Sequence, residues 1–295
     1  MIKHLVISGG AVAGYNLYGA IKYLKEKNVW NINDIESIYS TSVGSYIAVI
    51  LSLNYDNAYI DDYLIMRPWN KLITITSDNL MNFFINKGIL KENITMEIIK
   101  PLLIAKDLSV DITMLELYNF TNIDIHIYTT NINSSIPETV DISYKTHPNL
   151  IVHKALAMSS AIPILFSPVC DGSNCYIDGA LFNNFPLNSC LESNNNPEEI
   201  LAFRAIFSDN RLNINNNSNF TIYLYQLIES IRLYCATDDN QEKINNIIEC
   251  KLDIILNDWE NILSNQDIRK SMIDNGIIDG INFYNKFIKQ NQESV

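Results

Sequence analysis

Along the chain, short unbroken apolar runs alternate with longer segments in which apolar residues recur every three or four positions. The run "HLVIS" (4–8) predicts a buried strand; it passes at once into "GGAVAG" and then into "YNLYGAIKYLKEKN" (15–28), whose apolar spacing predicts a helix. "IESIYS" (35–40) predicts a second strand and "VGSYIAVILSLN" (43–54) a second helix. Strand, turn, helix repeated with short connections predicts a parallel α/β architecture, with helices covering both faces of a buried sheet. From Asn57 to about Pro101 the pattern is helical and rich in aromatic residues, as in "AYIDDYLIMRPWNKL" and "NLMNFFINKGIL". Strands return in "IDIHIYTTNI" (123–132) and "TVDISY" (139–144). "NLIVHKALAMSS" (149–160) predicts a helix stopped by Pro163; "ILFSPV", "CYI" and "EEILAFRAIF" (198–207) predict further strands. After Ser208 the pattern predicts polar helix to the end. Without an internal repeat or a Pro/Gly/Ser linker, the expectation is one domain over 1–295, with a core at 1–207 and a helical C-terminal portion at 208–295.

Composition narrows the partners. With 47% hydrophobic residues in 295, the chain can bury a large core. Its formal charge of -12 repels phosphate backbones, which argues against nucleic acid and leaves only apolar, local contact with lipid. No apolar stretch approaches the roughly 20 residues of a membrane span, and the run in "MIKHLVISGG" is too short for a signal peptide. Five scattered cysteines suit reduced thiols in a cytoplasmic protein, although Cys170 and Cys175 bracket "DGSN" and can face each other across a hairpin. A zinc knuckle needs a second pair nearby, so no metal is expected.

Candidate chemistry lies at the two strand-to-helix turns. "SGGAVAG" (8–14) permits three readings: a variant dinucleotide fingerprint on Gly9, Ala11 and Gly14, a plain tight turn, or an oxyanion hole built from the amides of Gly10 and Ala11. The second turn, "STSVG", matches the nucleophile-elbow pattern G-x-S-x-G at Ser42 and Gly44, with Ser40 in place of the first glycine. Neighbouring parallel strands lie about 4.8 Å apart, so Ser42 at the tip of the second falls beside the glycine loop at the tip of the first. A serine needs a base. His126, His147 and His153 are candidates only with an unusually placed acid. A carboxylate acting directly is the other option, offered by Asp171-Gly172, Asp178-Gly179 and Asp279-Gly280. Asp178 stands out because it ends a short strand and enters the small, apolar "GALF".

In order, "GGAVAG", "STSVG" and "DGA" (Asp178, Gly179, Ala180) resemble the motifs of the patatin-like phospholipases, and "ALAMSSAIPILFSPV" and "NNFPL" resemble the text around the family's aspartate. The resemblance runs from about Ile2 to Phe207; "MRPWNKL" and "SYKTHPNL" are similar to patatin-like proteins of large DNA viruses. It implies a three-layer α/β/α fold with a mainly parallel sheet and a lipid acyl hydrolase acting at a membrane or micelle interface. It also implies Ser42 as nucleophile, Asp178 as proton acceptor, Gly10 and Ala11 as oxyanion donors, and no metal or organic cofactor. Ala11 and Ala13 stand where the family usually has glycine and a basic residue, and alanine at 11 keeps its N–H but rules out φ > 0 at low cost. Those changes and Ser40 leave a second reading open: a patatin fold with impaired catalysis that binds lipid or a protein partner. For the 57–101 segment the expectations are a cap over the acyl groove or an internal helical layer.

Overall fold

The computed structural model describes the chain except residues 75, 77, 79, 80, 82, 194–195, 208–213, 219, 236–243, 253–257 and 294–295. Its strands are β1 (His4–Ile7), β2 (Ser37–Thr41), β3 (Gly88–Leu90), β4 (Asp124–Asn131), β5 (Glu138–Ile142), β6 (Ile164–Phe166), β7 (Val169–Asp171), β8 (Asn174–Asp178), β9 (Ile200–Phe207) and β10 (Ile247–Leu252). The helices are α1 (Gly14–Glu26), α2 (Val43–Ser52), α3 (Asn57–Met66), α4 (Trp69–Leu72), α5 (Phe83–Asn86), α6 (Asn93–Ile104), α7 (Met114–Thr121), α8 (Val152–Ser159), α9 (Leu187–Ser193), α10 (Phe220–Cys235), α11 (Trp259–Ser264) and α12 (Gln266–Glu293).

Five strands, in the order β10-β9-β1-β2-β4, run parallel. Their side chains alternate between two cores, as the pleat requires. Leu5, Ile7, Ile38, Ile125 and Phe203 join α1, α2, α8 and α12 on one face, while Val6, Tyr39, Tyr128 and Ala202 meet Leu187 and Cys190 of α9 on the other. Helices therefore cover both sides, as the expected α/β/α architecture requires. The far edge of β4 is antiparallel and decides where the site forms. Over Ile127–Asn131, β5 occupies one edge of β4; on the opposite edge β2 ends with Thr41 facing Tyr128, and β8 ends with Asp178 facing Thr129. Two strands thus arrive head to head at consecutive positions of a third.

Three expectations need correction. The C-terminal portion is not helical throughout, because "IIECKL" forms β10 on the edge of β9; residues 208–213, 236–243 and 253–257 of that portion lie outside the described residues. Its apolar positions alternate with Glu249 and Lys251, the half-buried strand pattern that the surrounding polar text obscured. Within 57–101, "GIL" forms β3 and pairs with β6, and helix α6 continues through Pro101; Asn79, Leu80 and Asn82 of that segment lie outside the described residues. Pro101 cannot donate to the Glu97 carbonyl, but Arg67 Nη2 does so at 2.6 Å, and its Nη1 reaches the Ile98 carbonyl at 3.0 Å. Finally, Cys170 and Cys175 face each other across β7 and β8 as a disulfide; Cys190, Cys235 and Cys250 form no disulfide.

The long helix α12 lies against α1. At Gly276 a Cβ would fall 1.9 Å from the Asn16 carbonyl oxygen, so glycine is what lets the two helices close. Buried Arg269 donates to the carbonyls of Ile65, Arg67, Ile262 and Leu263, which satisfies the last turns of α3 and α11 and ties α12 to both.

Candidate active site

Ser42 sits between the last residue of β2 and the first of α2, at φ 53 and ψ -124. A side chain at positive φ costs of order 1–3 kcal/mol and persists only where the surroundings enforce it. The enforcement is visible at Gly44, where a Cβ would lie 2.5 Å from the Ile7 carbonyl oxygen and 2.7 Å from that of Ser8; α2 starts hard against the end of β1. The Ser42 N–H donates to Ser159 Oγ at 2.8 Å, and Ser159 Oγ donates to the Tyr128 carbonyl at 2.6 Å. Ser159 thus links the turn to β4 through α8. Ser40, in the position of the missing elbow glycine, is fully buried and accommodated: its hydroxyl donates to the His126 carbonyl at 3.1 Å.

The Ser42 hydroxyl donates to Asp178 Oδ2 at 2.7 Å. The other carboxylate oxygen accepts the Ala180 N–H at 2.8 Å, so each oxygen has a partner. Both residues are 3% exposed. Burial pushes the Asp178 carboxyl up to about 7, against the opposing effects of the Ala180 N–H, the Ser42 hydroxyl and the Arg232 charge. A carboxylate so poised is a competent acceptor for a proton near neutrality. The segment after Asp178 then fastens both strand tips: the Asn183 carbonyl accepts from Thr41 Oγ1 at 2.8 Å, and the Asn184 carbonyl from the Gly9 N–H at 3.0 Å.

The glycine loop lies beside this pair, because β1 and β2 are neighbours in register from His4↔Ser37 to Ile7↔Ser40. Gly9 and Gly10 lead into a short turn at Ala11–Ala13, and Gly14 opens α1. No protein acceptor takes the N–H of Gly10 or Ala11 among the described residues. Ala11 adopts φ 49, so this chain carries the conformation that alanine disfavours, at a cost of roughly 1 kcal/mol. Ala11, Gly14 and Ser42 border a cavity of about 1040 Å³ whose lining is mainly apolar. Tyr63, Trp69 and Leu90 place the 57–101 segment in its wall, alongside Tyr46, Ile162 and Leu263.

The other candidates fall elsewhere. His126 stacks on Tyr39 at 4.2 Å and bonds Asp141 at 2.8 Å; His147 bonds Thr146 and His153 meets Asp111. Asp171 ends β7 at the hairpin, and Asp279 belongs to α12. Burial opposes a charge on His126, but hydrogen bonds to Asp124 and Asp141 outweigh it and push its pKa up to about 9. Ser159 and Arg232 were missed by sequence reasoning. Ser159 was present only as one hydroxyl in "ALAMSS", and nothing local indicates which carbonyl or amide it reaches. Among the described residues no group of three His, Cys, Asp or Glu side chains is arranged to hold a metal ion, and no helix is long and apolar enough to cross a membrane.

Known proteins resemble the chain in sequence and in fold. The chain is 29% identical over 281 residues to a probable lipid hydrolase, 463L, of Invertebrate iridescent virus 6, covering 92% of each chain. It is 26% identical over 186 residues to the uncharacterized protein R571 of Acanthamoeba polyphaga mimivirus, covering 63% of this chain and 60% of that one. Among solved structures it resembles VipD from Legionella pneumophila, with a TM-score of 0.56, 18% identity, and coverage of 97% of this chain and 67% of that chain. A family model for patatin-like phospholipase matches residues 5–191, and the chain belongs to that family.

Proposed function

We propose that the protein is a lipid acyl hydrolase of the phospholipase A type that works through an acyl-enzyme intermediate. The observation that carries this reading is the 2.7 Å hydrogen bond from Ser42 to a buried carboxylate at the border of an apolar cavity. Ser42 Oγ attacks the ester carbonyl carbon as its proton passes to Asp178 Oδ2. The amides of Gly10 and Ala11 receive the developing oxyanion. Collapse breaks the bond to the alcohol, which leaves with the proton from Asp178. Water then attacks the acyl-serine and gives a proton to Asp178; Ser42 recovers that proton as the carboxylic acid departs. The apolar cavity supports this assignment, since an acyl chain needs a water-poor channel beside the reacting ester.

The relative's name and the family both point to lipid as the substrate. The test is hydrolysis of short acyl esters and of phospholipid vesicles by wild type, Ser42→Ala and Asp178→Asn. Wild type is expected to turn over, and each variant to fall by roughly 10³-fold or more. A wild type inactive on every ester, or variants that retain turnover, would reject the dyad.

A further inference from the structure

Helix α10 is amphipathic in an unusual sense: one side walls the cavity and the adjoining side is apolar yet faces solvent. Ile228 and Glu229 contribute to the cavity wall. Phe220, Tyr223, Leu227, Ile231 and Tyr234 are between 43 and 81% exposed. At 100° per residue those five positions fall within about 80° of arc, a single stripe along the helix. Scattered exposed apolar residues need no explanation, whereas a continuous stripe marks a surface that meets something apolar.

Two observations indicate what it meets. The only charged residues of α10 are Glu229 and Arg232, which pair with each other at 2.8 Å on the side away from the stripe. The stripe is therefore uncharged in a chain whose formal charge is -12. Such a face meets no electrostatic penalty at a zwitterionic surface, while the rest of the chain is repelled by an anionic one. Its composition also fits a helix lying in an interface: Leu227 and Ile231 occupy the centre, with aromatic residues towards both ends, where amphipathic rings sit at headgroup level. Secondly, Ile228 lies beside the stripe, next to Leu227 and one turn from Ile231, and lines the cavity that holds Ser42, so the same helix that meets the bilayer also forms a wall of that cavity. Pairing of two chains through the stripe would instead cover that approach.

We infer that the exposed face of α10 docks the protein on an electrically neutral phospholipid surface, oriented so that lipid passes from the bilayer into the cavity beside it. The inference rests on the lipid-hydrolase reading, but its test does not depend on turnover. Ser42→Ala protein, which leaves vesicles intact, is mixed with phosphatidylcholine vesicles and with vesicles containing phosphatidylserine, and bound protein is measured by flotation. Binding to phosphatidylcholine is expected, and adding Leu227→Glu with Ile231→Glu lowers the partition coefficient roughly ten-fold or more. Neither residue lines the cavity, so the same pair of substitutions in otherwise wild-type protein leaves hydrolysis of a soluble short ester unchanged. Phe220→Ser with Leu227→Ser repeats the test without placing a charge on the helix. The inference is overturned if the parent does not bind phosphatidylcholine, if both variant pairs bind as it does, if phosphatidylserine strengthens binding, or if sedimentation shows a dimer that the substitutions dissolve. Soluble-ester turnover is read separately, so a failed dyad and a failed docking face give different results.

Discussion

Replacing Asp178 by asparagine separates what its carboxyl does for turnover from what burial of that carboxyl does to stability. Burial displaces the group from 3.8 to about 7, with the Ala180 N–H, the Ser42 hydroxyl and the Arg232 charge acting in the opposite direction. In the unfolded chain the proton is lost near 3.8; in the folded chain it is held until about 7. Between those values the folded state binds the extra proton, so this group's contribution to stability is fully present below the unfolded value and is lost as pH rises through the folded one. The full displacement corresponds to about 4 kcal/mol once both states are ionised, of which about 3 kcal/mol develops between about pH 5 and pH 8.5. Asparagine has no such proton. Urea unfolding of wild type and Asp178→Asn across that interval should show the variant gaining about 3 kcal/mol relative to wild type, while its ester hydrolysis stays roughly 10³-fold or more below the wild-type plateau at every pH. Wild-type kcat/KM on a soluble ester should rise to a plateau with a midpoint at about 7. A stability difference that stays flat with pH, or turnover that reaches its plateau near the ordinary carboxylate value, would refute the argument that burial sets the ionisation of Asp178.

Ala11→Gly removes the methyl group from a residue at φ 49 and should stabilise the fold by roughly 1 kcal/mol with turnover retained or raised, measured by urea unfolding and ester hydrolysis. Ser159→Ala leaves the Ser42 N–H without its acceptor and should lower stability by roughly 1–3 kcal/mol and lower kcat with it, whereas Ser159→Thr should recover part of both. His126 is raised to about 9 by Asp124 and Asp141 against its burial, so its stabilising contribution is fully present below 6.5 and is lost as pH rises through about 9. Thermal unfolding of His126→Gln should therefore depend less on pH than wild type across that window. Ser40→Gly removes the bond to the His126 carbonyl and adds backbone freedom to β2; it should cost roughly 1 kcal/mol without raising turnover, and a clear rise in hydrolysis would mean that Ser40 restrains the elbow.

The local pattern was legible because each element carries its own periodicity. "HLVIS" and "IESIYS" became β1 and β2, and the serine tip of one lies beside the glycine loop of the other, as parallel neighbours must. Helix α7 was overlooked although its start was written in the sequence: Thr113 and Glu116 form a reciprocal capping box ahead of Met114–Thr121. Strand β10 was hidden because six alternating residues in polar text are a weaker signal than a long amphipathic helix.

Sequence by itself singled out Ser42 and Asp178 by type, motif and strand-end context, since those properties are local. It could not bring them together across 136 positions. That was decided by β4, whose edge holds Thr41 opposite Tyr128 and Asp178 opposite Thr129, so that two strands from distant parts of the chain end at adjacent rungs. The neighbouring Ser159, the apolar cavity and the stripe on α10 belong to the same class of fact. Each depends on which surfaces pack against which, and that is fixed by long-range burial and hydrogen bonding rather than by the periodicity of any one segment.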